Sequence, residues 1–158
     1  MVSKLKLMLP LFFLLLCFRA EAQTFQTGKD AAQRGDFEEA FSIWLPLSRR
    51  GDVASQTNLA FLYKNGQGVE RDLGKAVIWF TKAAENGDAT AQNMLGLLYY
   101  SGQGVKQNFT KAAEYYQMAA EQGDRDSQYM LASLLRRGAC VEQDMQAAAR
   151  WFTFFRGY

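Results

Sequence analysis

Side chains able to do covalent or metal chemistry are scarce in this chain, and histidine is absent altogether. Without an imidazole there is no Ser–His or Cys–His pair to activate a nucleophile and no His-based zinc site. The two cysteines are Cys17 and Cys140. Cys17 lies in an apolar N-terminal run after Leu16, where a lipid-attachment signal would want a small residue. Cys140 is left as the one thiol of the downstream chain. It forms no internal disulfide and is either a reactive thiol or an inert loop residue. No Ser-x-x-Lys nucleophile motif occurs after residue 22. Arg136 and Arg137 offer two forked guanidinium groups that suit a carboxylate, in an acidic side chain or at a free C-terminus. The plainer reading is that they offset the C-terminal dipole of a helix. Two Arg-Gly-Asp triplets, at Arg34 and Arg50, and the sequon at Asn108 fall on joints that need those residues for structure. Neither catalysis nor a cofactor is indicated.

The N-terminus has its own character. Lys4 and Lys6 precede an apolar run from Leu7 to Phe18, and Ala20-Glu21-Ala22 follows. This is the layout of a secretory signal peptide at 1–22, cleaved after Ala22. The alternative is a retained anchor, but about 12 apolar residues fall short of the ~20 that span a bilayer. Periplasmic or secreted localisation is expected. The 18 basic and 16 acidic residues of the chain then lose Lys4, Lys6, Arg19 and Glu21, which leaves the two signs equal. Nucleic acid is not an expected partner, since it asks for a basic surplus on one face.

What positions these residues is a repeat. Gly51-Asp52, Gly87-Asp88 and Gly123-Asp124 are 36 residues apart. Gln56, Gln92 and Gln128 recur at the same interval, as do Leu59, Leu95 and Leu131, and Gly66, Gly102 and Gly138. Val69, Val105 and Val141 follow, then Ala76, Ala112 and Ala148. A fixed period of this length marks a solenoid, in which each unit touches its neighbours and the stack offers one long concave surface. Within a unit, Ser55, Leu59, Leu62 and Tyr63 keep one helical phase, helix A. Ala76, Trp79, Phe80, Ala83 and Ala84 keep another, helix B, and Trp79 with Phe80 is read as core.

The joints are equally regular. Gly66 and Gly102 suit a left-handed helix end, and Gly68 and Gly104 a second turn without Cβ cost. Asp72, Asn108 and Asp144 stand at the start of helix B, and the aspartate after each of Gly51, Gly87 and Gly123 at the start of helix A, as caps. Upstream, Asp36, Ala40 and Trp44 fit a diverged unit with a shorter loop at Gly35. Its helix B should kink or stop near Leu45, ahead of Pro46. In the third full unit Ala139-Cys140 replaces Gln-Gly, so that loop should differ in shape. Trp151, Phe152, Phe154 and Phe155 give an aromatic end suited to a partner or to self-association.

The run Gln56, Leu59, Tyr63, Gly66-Gln67-Gly68-Val69, Asp72, Lys75-Ala76, Trp79-Phe80, Ala83-Ala84, Gly87-Asp88 resembles the Sel-one-like repeat family, a relative of tetratricopeptide repeats. The resemblance covers about 36–155. It implies a scaffold for complexes, and exported bacterial members are associated with envelope assembly, secretion and host interaction. By analogy with the tetratricopeptide groove it implies a helix A face that binds a protein or peptide. In the first full unit this face would be Ala54, Thr57, Phe61, Lys64 and Asn65; in the second, Thr90, Asn93, Leu97, Tyr100 and Ser101; in the third, Asp126, Tyr129, Ser133, Arg136 and Arg137. These positions vary between units while the packing positions recur. Cysteine-rich relatives have been linked to penicillin binding and β-lactam hydrolysis, but this chain lacks their cysteine pair in each repeat.

The expected architecture is all-α, a right-handed α-solenoid of antiparallel helix pairs. About four hairpins make up the chain after the signal: a diverged unit at 23–50 and repeats at 51–86, 87–122 and 123–158. The expected work is non-catalytic, an exported adaptor that holds a peptide or subunit. The alternatives are a β-lactam-directed enzyme and a secreted factor that acts on a host.

Overall fold

The computed structural model describes residues 24–138, 146 and 148–151. Seven helices run through the first of these stretches in antiparallel pairs: α1 (Phe25–Arg34), α2 (Phe37–Arg49), α3 (Val53–Asn65), α4 (Leu73–Glu85), α5 (Ala89–Ser101), α6 (Phe109–Glu121) and α7 (Arg125–Arg137). Those after α1 are each 13 residues long. Helices α1, α3, α5 and α7 play the part of helix A, and α2, α4 and α6 that of helix B. The residues described after 145 are helical where the next helix B is expected, and Ala148 is buried there. Cys140, Asp144, Phe152, Phe154 and Phe155 lie outside the described residues.

Each helix start is chemically specified. Asp52, Asp88 and Asp124 accept the backbone N–H of Ser55, Ala91 and Ser127 at 2.7, 2.7 and 2.8 Å. Asp72 and Asn108 accept that of Lys75 and Lys111, both at 2.9 Å. Each bond satisfies one of the amides that a helix leaves unpaired at its N-terminus. The bond from the Lys75 amide is also the main reason the Asp72 carboxyl is held below its ordinary pKa. Asp36, at the same station of the diverged unit, makes no such bond; it accepts Arg34 Nε at 3.1 Å instead.

Helix ends are closed by glycine. Gly66, Gly102 and Gly138 adopt φ of 69°, 71° and 63°, and the amides of Gly66 and Gly102 return to Leu62 and Leu98. The second glycine of the loop has a further role. A Cβ on Gly68 would sit 2.2 Å from the carbonyl carbon of Phe37, and one on Gly104 would sit 2.7 Å from the Leu73 oxygen. Each loop therefore lies directly on the first turn of helix B in the preceding unit, at a distance only glycine permits.

Pro46 does not stop α2. The helix continues to Arg49: the φ of proline is helical, and the bond given up is the one from position 46 to the Ser42 carbonyl. The Pro46 carbonyl still accepts the Arg50 amide at 3.3 Å, and buried Ile43, Trp44 and Ser48 hold the helix down.

The core forms three clusters along the stack, joined through half-buried Phe41, Val69 and Tyr99, each of which packs against two of them. Leu59, Ala60, Phe80, Ala83, Ala91, Leu95 and Leu98 form its centre, and Ala112, Ala113, Tyr116, Leu131 and Leu134 extend it. Tyr116 is 1% exposed and fills the core with its ring, and the same burial raises its phenol above the ordinary pKa. The expectation that Trp79 belongs to the core is only half met. Phe80 is wholly buried, whereas Trp79 is half-buried at the rim under Lys82, whose Nζ is 4.4 Å from the indole centroid. Phe80→Ala is accordingly expected to cost about 3–5 kcal/mol in chemical denaturation, and Trp79→Ala clearly less. Equal losses would contradict this division of the aromatic pair.

Candidate functional site

Successive A helices lie side by side. Asn93 on α5 donates from Nδ2 to Ser127 Oγ at 2.7 Å and to Asp124 Oδ1 at 3.0 Å, both at the start of α7. The A helices thus form one face, and the positions singled out from the sequence fall on it in bands. The band nearest the helix starts holds Thr57, Asn93 and Tyr129. The middle band holds Phe61, Leu97 and Ser133. The band nearest the loops holds Lys64, Tyr100 and Arg136, with Asn65, Ser101 and Arg137 beside it.

These bands differ in what they leave open. Thr57 is only 6% exposed and its hydroxyl has no hydrogen-bond partner among the described residues, so it packs inside the frame. Asn93 is half-buried with its amide directed to the next unit; it is a clamp between repeats. Tyr129 is 47% exposed. In the middle band Leu97 is 39% exposed, Ser133 is half-buried, and Phe61 leans edge-on against Phe80 at 5.1 Å. In the last band Tyr100 rests edge-on against Phe109 at 5.4 Å, and the Lys64 ammonium lies 5.9 Å from the Phe61 centroid. Arg136 and Arg137 are exposed.

The open part of the face is therefore apolar in the middle and cationic toward the loops: Leu97, the rim of Phe61, Tyr100 and Tyr129, with Lys64, Arg136 and Arg137 alongside. Asp126, its one carboxylate among the positions named, lies at the opposite end of α7 from the arginines. Among the described residues no group of histidine, cysteine, aspartate or glutamate could hold a metal ion. Also among them, no helix is long and apolar enough to cross a membrane.

Sequence reasoning noticed the recurrence of Gln56, Gln92 and Gln128 without its cause. Each is buried and donates from Nε2 to the carbonyl of the residue eight before it: Ser48, Ala84 and Ala120, at 3.1, 3.2 and 3.2 Å. Those carbonyls end helix B, so each amide ties a helix A to the helix before it. The Asn93 clamp was equally hidden, because it occurs once and has no period. Asn93→Ala is expected to lower stability by about 1 kcal/mol, the net value of such bonds, and to leave partner binding unchanged. A loss of binding without loss of stability would move Asn93 from the frame to the binding surface.

Comparison with known proteins agrees with the fold. The family model described as Sel1 repeat matches residues 53–88, 89–124 and 125–153. Among solved structures, the chain is similar to a Sel1 repeat protein from Oxalobacter formigenes, at 30% identity and a TM-score of 0.80, over 84% of this chain and 54% of that one. It is also similar to a protective antigen of uropathogenic Escherichia coli strains that displays an SLR fold, at 30% identity and a TM-score of 0.79, over 84% of this chain and 29% of that one. The chain thus spans about half or less of the length of these neighbours. No curated protein matches. With three matched repeats and this fold, the chain belongs to the Sel1 repeat family, whose members generally serve as scaffolds for protein–protein interaction.

Proposed function

We propose that the protein is an exported, non-catalytic adaptor whose helix A face holds an extended peptide or a subunit of a larger assembly. The observation that carries this reading is the contrast between frame and face. Packing and capping residues recur from unit to unit, while Phe61, Leu97 and Ser133, and Lys64, Tyr100 and Arg136, change at fixed register. A repeated frame whose helix A surface changes at fixed register suits recognition of a non-repetitive partner. Leu97, Tyr100 and Tyr129 offer apolar contact. Lys64 and the Arg136–Arg137 corner favour a segment with carboxylates, which a guanidinium binds through paired hydrogen bonds.

Export rests on the charged start, apolar run and Ala20-Glu21-Ala22 of residues 1–22, and the likeness to a protective antigen is in keeping with it. The solenoid then occupies residues 23–158, as a diverged unit and three repeats. Intact-mass analysis of protein recovered outside the cytoplasm is expected to show a chain that begins at Gln23. A chain that retains Met1 in the membrane fraction would contradict export by cleavage.

The face is tested by comparing two pairs of surface changes. Leu97→Asp with Arg137→Glu alters the helix A face, and Ile78→Asp with Glu114→Arg alters exposed positions on helices B. Quantitative mass spectrometry of material purified from the native source is expected to show a discrete partner depleted at least about tenfold by the first pair, the effect of losing about 1.4 kcal/mol. The second pair should leave it unchanged. Depletion by the helix B pair alone would overturn the assignment.

A further inference from the structure

In the first two full units, the loop after helix A returns to the end of that helix through one side chain. Arg71 Nε donates to the Lys64 carbonyl at 3.1 Å, and Gln107 Nε2 donates to the Tyr100 carbonyl at 2.8 Å. The two donors are one repeat apart, and so are the two carbonyls. Each bond satisfies a carbonyl that a helix end leaves unpaired, and an uncharged amide makes it at least as well as a guanidinium. The fold therefore asks for a donor at this station and not for a charge.

Arg71 supplies a charge all the same, and it joins another. Lys64 lies in the last turn of α3, half-buried, with its ammonium 5.9 Å from the Phe61 centroid, and Arg71 is exposed. Helix α5 closes with no basic residue in its last turn, so helix closure does not require Lys64 either. A helix C-terminus offers about half a negative charge against these two cations. Among the described residues no ion pair involves either of them: Asp72 pairs with Lys75 at 3.3 Å, and Glu70, next to Arg71 in the chain, pairs with neither. Of the donors that a guanidinium carries, Arg71 engages Nε alone.

We propose that Lys64 and Arg71 form a carboxylate-binding subsite at the loop end of the helix A face, which takes an aspartate or glutamate side chain of an extended partner segment. The subsite rests on the reading of that face as a peptide-binding surface, and it adds a residue that lies outside the A helices. The unengaged fork of the guanidinium suits a carboxylate, and the ammonium adds a second charged donor. One unit on, Tyr100 stands at the station of Lys64, and Leu97, one turn before it, is 39% exposed. Neighbouring helices pack about 10 Å apart, a distance that an extended chain covers in about three residues at about 3.3 Å each. The partner segment therefore carries an apolar or aromatic residue about three positions from its acidic one.

The test is selection of a random-peptide phage library on the purified protein, followed by titration of the selected peptides against that protein, Arg71→Gln and Leu97→Asp. Arg71→Gln installs the side chain that Gln107 carries at the same station, so the bond to the Lys64 carbonyl and the thermal melt should both be kept. The selected peptides are expected to hold an aspartate or glutamate about three positions from an apolar residue. Replacing that acid by its amide should weaken binding to the unaltered protein at least about tenfold, the loss expected of a hydrogen bond between charged groups. Arg71→Gln should lose most of this discrimination. Peptides that depend on Leu97 but hold no acidic residue, or whose acid Arg71→Gln reads as strongly, overturn the subsite and leave the reading of the face standing. No enriched peptide, or peptides that bind Leu97→Asp undiminished, overturns the reading of the face and the subsite with it.

Discussion

A single amide, repeated every 36 residues, joins the units of this solenoid. A turn as short as Arg50-Gly51-Asp52 brings the end of one helix against the start of the next, and helix ends leave carbonyl groups without partners. The Gly51 amide returns to the Ser48 carbonyl at 3.1 Å, and Gln56 Nε2 reaches the same oxygen from within the next helix, also at 3.1 Å. The same device closes α4 onto α5 and α6 onto α7. Buried in an apolar seam, such a bond is costly to lose, so it fixes how each A helix leans on the helix before it. Loop placement, the side-by-side A helices and the face they form all follow from that angle.

The joints are not equal in their polar detail. Where α5 leans on α6, Gln92 Oε1 also accepts from Gln122 Nε2 at 2.7 Å. In the preceding unit the side chain at Gln122's station is Asn86, one methylene shorter; it turns back to the Lys82 carbonyl at 2.8 Å, and Gln56 Oε1 has no partner among the described residues. Ser127 Oγ is held by Asn93, whereas Ser55 Oγ and Thr57 Oγ1 are not held. The later joints are therefore better satisfied than the earlier ones, although the apolar seam runs through all of them. Unsatisfied buried polar atoms lower stability by the cost of their desolvation. The earlier joint is then the less stable one.

Most of this frame was legible in the chain because period and capping chemistry are local. Asp52, Asp88 and Asp124 cap the helices that their position after glycine implies, and Gly66 and Gly102 end the helices where the apolar phase stops. What escaped depends on contacts across units. The sequence cannot distinguish Trp79 from Phe80 by phase alone, since both fall on the buried side of helix B; which goes under depends on the neighbouring A helix. Pro46 lies inside α2 without stopping it, since Ile43, Trp44 and Ser48 around it are buried against the neighbouring helices although one helical bond is lost. Thr57 and Asn93 occupy groove positions by register, yet one is enclosed and the other holds the next helix, which only the spacing between units decides. Cys140, Phe152, Phe154 and Phe155 lie beyond the described residues, and their expected roles stand as sequence readings; Trp151, at the start of the aromatic end, is half-buried against the core.

The central claim is that the frame recurs so that the helix A face can vary and hold a partner. Site-specific photo-crosslinking in cells, with the probe at Leu97 on α5 and at Glu114 on α6, tests it most directly. The account predicts one discrete adduct from Leu97 and none of that mass from Glu114. Equal adducts from both positions, or an adduct from Glu114 alone, would contradict it.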